Sequence, residues 1–222
     1  MATSNWIYLS YNLSDKISGY GNGDRILIEK TGEICCGANA NGTKFAMPTH
    51  FGTHIDFPYH FGDEGKKGSA YPADFFISNK VGFLRITPAS FLITVEELSV
   101  VEKIEADIEF LFVDTGFWKK RDHDDYWSKN PGFSPEVASF LREKFSKLRI
   151  LGFDSISMNP WEDRPTGRIA HKEFLLKNDI CLLEDVDFSN LDDCNFIDEA
   201  IISPLRFENA DGAPCTVFAK VR

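Results

Sequence analysis

The sequence predicts a single α/β domain that spans residues 1–222 and is built on a mixed, strand-rich sheet. Three observations favour this fold class. Strand-length apolar segments outnumber helical ones, and residues 108–153 show a strand–helix–strand pattern that favours a parallel crossover. A length of 222 residues fits one domain with elaborated loops better than two domains. Hydrophobic residues make up 43% of the chain, enough to bury a large core, which argues against disorder.

Short runs of β-branched, aromatic and aliphatic residues, bounded by turn residues, predict the strands. The glycine- and asparagine-rich segment 31–43 is predicted to be a loop. In chain order, the predicted strands are 6–13, 25–29, 81–86, 108–113, 148–153, 180–183, 197–202 and 216–221.

The helices are fewer and have recognisable start signals. Serine and proline at 134–135, followed by apolar residues at helical spacing, predict the clearest helix. Thr94 and Glu97 form a capping-box pattern that predicts a short helix. A third short helix is predicted at 171–177.

Charge and composition exclude several classes of partner. The formal net charge of −10 comes from 34 acidic and 24 basic residues, whereas nucleic-acid-binding domains depend on basic patches. No apolar run approaches the roughly 20 residues of a membrane span. The N-terminal residues lack the pattern of a signal peptide. We therefore expect a cytoplasmic protein that binds a small-molecule substrate, with no nucleic acid and no membrane as partners.

Five cysteines are present, at positions 35, 36, 181, 194 and 215. Their number is odd, and the one close pair, Cys35 and Cys36, is adjacent, a spacing poor for an ordinary structural disulfide. No CxxC motif occurs, so the sequence does not support a thiolate zinc site. Reduced cysteines are expected.

Chemistry-bearing residues concentrate in one short segment. Three of the five histidines, His50, His54 and His60, fall within eleven residues, and Asp56 lies among them. Pro58 has no amide hydrogen and biases the residue before it towards an extended conformation. Residues 54–57 are therefore predicted to be extended.

In an extended chain the side chains alternate, so His54 and Asp56 project to one face. Gly52 permits a tight turn that brings His50 back towards them. Two imidazoles and one carboxylate suit a borderline divalent metal such as zinc or manganese. Three protein ligands leave positions for water, which is the catalytic arrangement. The segment therefore predicts a catalytic metal site.

Residues 50–61 resemble the H-x-G-T-H-x-D-x-P-x-H-F signature of the cyclase-like metal-dependent hydrolases, a family that includes arylformamidases and isatin hydrolases. The twelve-residue motif is dense and specific. The resemblance extends over nearly the whole chain and implies a fold of the swivelling β/β/α type. Further segments similar to family motifs are 9–13, 114–116, 152–157, 170–171, 183–184 and 211–214.

The family resemblance also implies roles for individual residues. His50, His54 and Asp56 are implied to bind the first metal. His171 and Glu184 are implied to bind a second metal, which Asp56 also contacts in dinuclear members. The resemblance thus implies one or two ions per subunit, with Zn²⁺ the first expectation and Mn²⁺ the alternative. It also implies a homo-oligomer, a dimer or a tetramer.

The same resemblance implies hydrolysis of a small amide, with N-formylkynurenine as the first expected substrate. His60 is implied to be the acid/base residue. Two alternatives stay open: hydrolysis of another small cyclic amide or carbonyl compound, and a non-catalytic metal- or ligand-binding protein on the same scaffold. Phe57 stands where many members have alanine, so it is expected to shape the substrate pocket. Trp161, in the loop before His171, is the other expected substrate contact.

Overall fold

The computed structural model describes residues 5–23, 25–192 and 196–222, so that Cys194 lies outside the described residues. Its strands, in chain order, are β1 Trp6–Tyr8, β2 Leu27–Gly32, β3 Gly42–Ala46, β4 His54–Asp56, β5 Ile77–Ser78, β6 Val81–Arg85, β7 Leu92–Ile93, β8 Phe110–Asp114, β9 Gly132–Phe133, β10 Ile150–Phe153, β11 Cys181–Glu184, β12 Ile197–Pro204 and β13 Gly212–Val221. The α-helices are α1 Asp125–Ser128, α2 Glu136–Lys144 and α3 Arg164–Lys172.

Nine of these strands form one mixed sheet in the order β5-β12-β13-β4-β11-β10-β8-β6, with β1 paired to β13. Strands β6, β8, β10 and β11 run parallel, whereas β4, β12 and β13 pair antiparallel with their neighbours. Helix α2 lies in the connection between β8 and β10, which is the predicted parallel crossover. The predicted α/β architecture with a mixed, strand-rich sheet is confirmed.

The strands at the centre of the sheet are buried on both faces, as their continuous apolar runs predict. Along β8, Leu111 and Val113 join one hydrophobic cluster with α2 and α3, while Phe110 and Phe112 join a second cluster on the other face. The same alternation holds in β11, where Leu182 faces the helices and its neighbours do not. Two cores therefore hold the sheet between them.

Several predicted elements differ from the observed ones. The segment 31–43 is not only a loop, because β2 extends to Gly32 and β3 begins at Gly42, so the two strands form a separate hairpin. One of the two hydrogen bonds of a capping box is present, with the Thr94 amide donating to Glu97 at 2.9 Å, but the helical turn that follows is a 3₁₀ helix at Ser99–Lys103.

The helix predicted at 171–177 begins earlier than expected. Helix α3 begins at Arg164, where Asp163 accepts a hydrogen bond from the Thr166 amide as its cap, and a π-helical turn follows at Glu173–Lys177. Pro165 in the first turn is compatible with a helix start, because that position needs no amide hydrogen. His171 consequently lies in the last turn of α3 rather than at a helix start. Across the described ranges, no helix combines the length and apolarity needed to cross a membrane.

Candidate metal centre

Strand β4 lies between β11 and β13. Its register with β11 sets the positions of one imidazole, His54, and two carboxylates, Asp56 and Glu184. Glu184 of β11 is paired directly with His54, and Leu182 with Asp56. Paired residues present their side chains on the same face of a sheet. His54, Asp56 and Glu184 therefore share the face that α3 covers, and all three are buried.

The ring of His54 is fixed by a short turn. Its Nδ1–H donates to the Gly52 carbonyl oxygen at 2.8 Å, and Gly52 has a φ of 65°, a left-handed conformation that glycine adopts without strain. The Nε2 atom then faces Asp56 Oδ1 and Glu184 Oε2, each at 3.4 Å. A backbone carbonyl thus holds Nδ1–H and leaves Nε2 as the atom that faces the two carboxylates.

Helix α3 delivers a second imidazole from the opposite direction. His171 Nδ1–H donates to the Gly167 carbonyl oxygen at 2.9 Å. Its Nε2 lies 3.4 Å from Glu184 Oε1 and 3.6 Å from Asp56 Oδ2. The arrangement repeats that of His54, with one nitrogen held by the backbone and the other directed at the same pair of carboxylates.

The third imidazole, His50, is held by two carboxylates. Its Nδ1 lies 2.7 Å from Asp56 Oδ1 and its Nε2 lies 2.9 Å from Asp211 Oδ2. The ring packs against the backbone of Gly212, where an added Cβ would lie 2.4 Å from the imidazole. Glycine at this position is therefore what allows the His50 ring to approach Asp56.

These side chains form two overlapping sets of three, each with its donor atoms within 4.8 Å of one another, and His50, His60 and Asp211 form a further set of this kind at the rim. The first set is His50, His54 and Asp56, and the second is Asp56, His171 and Glu184. Asp56 belongs to both sets. The structure thus brings together all five residues that the sequence analysis named as metal ligands.

The donor set fits a divalent cation. His54 Nε2 is buried and has no hydrogen-bond partner, and separations of 3.4–3.6 Å to the carboxylates are too long for good hydrogen bonds. A buried polar atom without a partner is costly in a folded protein unless it binds something. Imidazole nitrogens with carboxylate oxygens are ligands that zinc and other borderline divalent ions accept.

The electrostatics of the cluster are set by burial and by mutual charge. Burial alone would lower the pKa of His54, but the carboxylates of Asp56 and Glu184 raise that pKa well above its ordinary value. Burial would likewise raise the pKa of Asp56, whereas His50 and His54 hold it well below its usual range. The carboxylates therefore stay ionised in a buried site, which metal binding requires.

Glu184 is held by one hydrogen bond of its own and by the buried contacts of the next residue, Asp185. Its Oε1 accepts a hydrogen bond from the Met158 amide at 2.7 Å. The next residue, Asp185, has a left-handed φ of 57° and a fully buried side chain that pairs with Arg121 at 2.8 Å. Tyr126 donates its hydroxyl hydrogen to the same Asp185 carboxylate. This buried ion pair anchors the end of β11 behind the cluster.

His60 lies at the rim of the cluster. It ends a 3₁₀ turn, Pro58–His60, and its ring stacks on that of His50 with centroids 3.9 Å apart. Its Nδ1 is 3.5 Å from Asp211 Oδ2, and its side chain is 30% exposed. The side chains of the five predicted ligands are less exposed, at 23% for His50 and 1–4% for the other four. His60 is therefore the imidazole that a ligand from solution meets first.

The two aromatic residues predicted to contact substrate lie in different places. Trp161 packs edge-on against Tyr20, with centroids 5.4 Å apart, in the loop before α3. Phe57 is 1% exposed and stacks on Tyr71 in the second core. The structure does not bring Phe57 to the metal-binding face, because the alternation along β4 points it, like Ile55, to the opposite side of the sheet.

Two residues of the site were not predicted as functional. Asp211 contacts both His50 and His60, and its only sequence signal was its place in the segment 211–214. The Tyr20 hydroxyl is buried, and burial raises its pKa, an effect that the Arg164 charge opposes and the Glu184 charge reinforces. The sequence gave no functional signal for Tyr20, because it lies in the turn-forming segment 19–23.

The chain matches a family model described as "Putative cyclase" over residues 7–160. It is 30% identical over 214 residues to a kynurenine formamidase of Bacillus cereus, with 96% of each chain covered. This chain belongs to the Cyclase family. The family-level prediction from residues 50–61 is confirmed, and with it the prediction that the chain is a hydrolase.

Solved structures share the fold of this chain. Isatin hydrolase A from Labrenzia aggregata, bound to benzyl benzoate, has a TM-score of 0.77 at 22% identity, covering 96% of this chain and 92% of that one. A potential metal-dependent hydrolase with cyclase activity has a TM-score of 0.75 at 17% identity, covering 96% of both chains. At these identities the likeness shows the shared fold.

Replacing Arg121 with methionine is expected to destabilise the protein by about 3–5 kcal/mol, because it leaves the buried carboxylate of Asp185 without its cation. Guanidinium unfolding measures the change, with Lys119→Met on the same surface turn as the matched control. A loss below about 1 kcal/mol for Arg121→Met, equal to the control, would show that the ion pair does not anchor this end of β11.

Proposed function

We propose that this chain is a divalent-metal-dependent amidohydrolase whose substrate is N-formylkynurenine. The observation that carries the proposal is the convergence of five metal-ligating side chains on one buried point, with His60 at its rim. The identity of 30% to a kynurenine formamidase over 96% of both chains supports the substrate.

We assign the first ion to His50, His54 and Asp56, and a second ion to Asp56, His171 and Glu184. A divalent ion bound there supplies Lewis acidity, which polarises a carbonyl group and lowers the pKa of a water ligand to about 7. Zn²⁺ is the ion we propose first, with Mn²⁺ as the alternative, because both accept nitrogen and oxygen ligands.

The protein's own contribution begins with the arrangement of its ligands. Backbone carbonyls hold the Nδ1–H groups of His54 and His171, so both rings are oriented before a ligand binds. Pre-organisation of this kind avoids the cost of ordering side chains during the reaction. His54, Asp56, His171 and Glu184 are buried, whereas His50, His60 and Asp211 are partly exposed.

We assign proton transfer to His60. Asp211 faces Nδ1 of this ring, which leaves Nε2 to accept a proton from water and return it to the leaving nitrogen. The leaving group of a formanilide needs that proton, because an anilide anion is a poor leaving group. The stacking of His60 on His50 fixes the plane of the ring at the rim.

Trp161 and Tyr20 are the aromatic residues that we propose for the substrate ring. They contact each other edge-on, and Trp161 also meets Trp127 with ring centroids 6.0 Å apart. Trp161 lies in the turn that leads into α3, the helix that carries His171. Aromatic side chains that meet edge to face suit a planar aryl substrate.

A cyclic amide such as isatin is the second candidate substrate, favoured by the fold shared with isatin hydrolase A. The same residues would act on N-formylkynurenine and on isatin, so the two candidates are distinguished by comparing the hydrolysis rates of the two substrates. A non-catalytic binding protein is disfavoured, because the five ligand positions and His60 are all present. The expected homodimer or tetramer and the expected cytoplasmic location stay predictions.

The zinc-loaded protein is expected to hydrolyse N-formylkynurenine with a kcat/KM above ~10⁴ M⁻¹s⁻¹, an ordinary value for an enzyme acting on its own substrate. Removal of the metal with a chelator is expected to abolish turnover, and adding Zn²⁺ back to restore it. Isatin is the comparison substrate. Trace turnover of N-formylkynurenine together with efficient turnover of isatin would reject the proposed substrate and retain the metal-dependent amidohydrolase.

Replacing His60 with alanine is expected to lower kcat by about 10²–10⁴-fold while the protein keeps its metal, since the residue moves a proton and does not bind the ion. His54→Ala is expected to lose metal and activity together. His123→Ala, which changes an exposed histidine, is the matched control. Metal analysis alongside kinetics separates the roles, and metal loss in His60→Ala would mark this residue as a ligand instead.

A further inference from the structure

The tip of the hairpin formed by β2 and β3 carries a pair of adjacent thiols. Cys35 and Cys36 lie in a 3₁₀ turn, Ile34–Cys36, and both are exposed. Their Sγ atoms are 3.7 Å apart. Neither cysteine belongs to the metal-binding residues of β4, α3 and β11, and the proposed hydrolase activity does not use them.

The backbone of this turn is fixed without help from the thiols. The Glu33 carbonyl oxygen accepts hydrogen bonds from the amides of Cys36 and Ala38, at 2.9 and 3.1 Å. The Asn41 side chain accepts one from the Ile34 amide at 3.0 Å. A Cβ added at Gly37, whose φ is 90°, would meet no atom within 4 Å, so the space beside the pair is open.

The geometry of the pair disfavours a disulfide. Adjacent residues joined by a trans peptide have Cα atoms about 3.8 Å apart, below the usual disulfide range of about 4.4–6.8 Å. A shared metal ion requires a different distance. Two thiolates on a tetrahedral ion, each with a metal–sulfur bond of about 2.3 Å, lie about 3.8 Å apart. The two thiols, which lie 3.7 Å apart and can donate a hydrogen bond to each other, can reach this separation with almost no movement.

We propose that Cys35 and Cys36 form a two-thiolate chelate site for a soft, thiophilic cation of the Zn²⁺, Cd²⁺ and Cu⁺ class. Binding replaces the two S–H hydrogens with two metal–sulfur bonds and releases two protons to solvent, with no change of oxidation state. Water fills the remaining positions of the ion on the open side of the turn. The site is chemically distinct from the nitrogen and oxygen centre, because thiolates select soft ions.

The other described cysteines do not compete for such an ion. Cys181 is buried, its thiol contacts the Tyr71 hydroxyl at 3.4 Å, and burial raises its pKa to about 12. Burial also raises the pKa of Cys215, whose thiol lies 3.3 Å from the Ala213 carbonyl oxygen. A raised pKa keeps a thiol protonated, and the protonated form is a poor metal ligand.

Titration of the zinc-loaded protein with Cd²⁺ tests the proposal through the ultraviolet thiolate-to-cadmium charge-transfer band, which nitrogen and oxygen ligands do not give. One equivalent is expected to saturate the band. Cys35→Ser and Cys36→Ser are each expected to raise the Kd by roughly 10²-fold, because one thiolate lacks the chelate effect. Cys215→Ser and Cys194→Ser, as matched controls, are expected to keep the wild-type Kd.

Circular dichroism and hydrolysis rates show that each variant is folded, since neither exposed cysteine takes part in the proposed reaction. A wild-type protein without the band would overturn the proposal. So would a double variant, Cys35→Ser with Cys36→Ser, that keeps the band at the wild-type Kd. Single variants that bind Cd²⁺ as tightly as the wild type would show one-thiolate binding and would also overturn the chelate.

Discussion

The buried carboxylate of Asp56 is the group on which the rest of the centre depends. A carboxylate on the middle strand of a sheet, 1% exposed, keeps its charge only because imidazoles surround it. His50 approaches from one side, and His54 and His171 direct their Nε2 atoms at it and at Glu184. Strand β11 supplies Glu184, helix α3 supplies His171, and Asp211 next to β13 contacts His50.

The fold explains how residues distant in the sequence reach this point. The pairing of β4 with β11 sets Glu184 opposite His54, and the pairing with β13 sets Gly212 beside Asp56. The absence of a side chain at Gly212 leaves room for the His50 ring, and Asp211 next to it contacts that ring. One strand register therefore assembles the site, and the two hydrophobic cores keep that register fixed.

The sequence predicted the parts of the site that local chemistry determines. Extended backbone over residues 54–57 follows from Pro58 and places His54 and Asp56 on one face. His171 and Glu184 had no local signal of their own, because their roles depend on the packing of α3 and the pairing of β11, and only the family resemblance indicated them. Asp211 was missed for the same reason, since strand pairing alone brings it to His50. The hairpin of β2 and β3 was missed because glycine and asparagine at its tip read as a loop.

The most direct test of the central claim is the metal content of Asp56→Asn, measured by elemental analysis after dialysis against Zn²⁺ and compared with Glu184→Gln. Asparagine keeps the size of the side chain and removes the charge that both sets of ligands share. The account predicts that Asp56→Asn retains no tightly bound metal, while Glu184→Gln retains the ion of the His50 set. An Asp56→Asn protein that is folded and keeps the wild-type metal content would contradict the account.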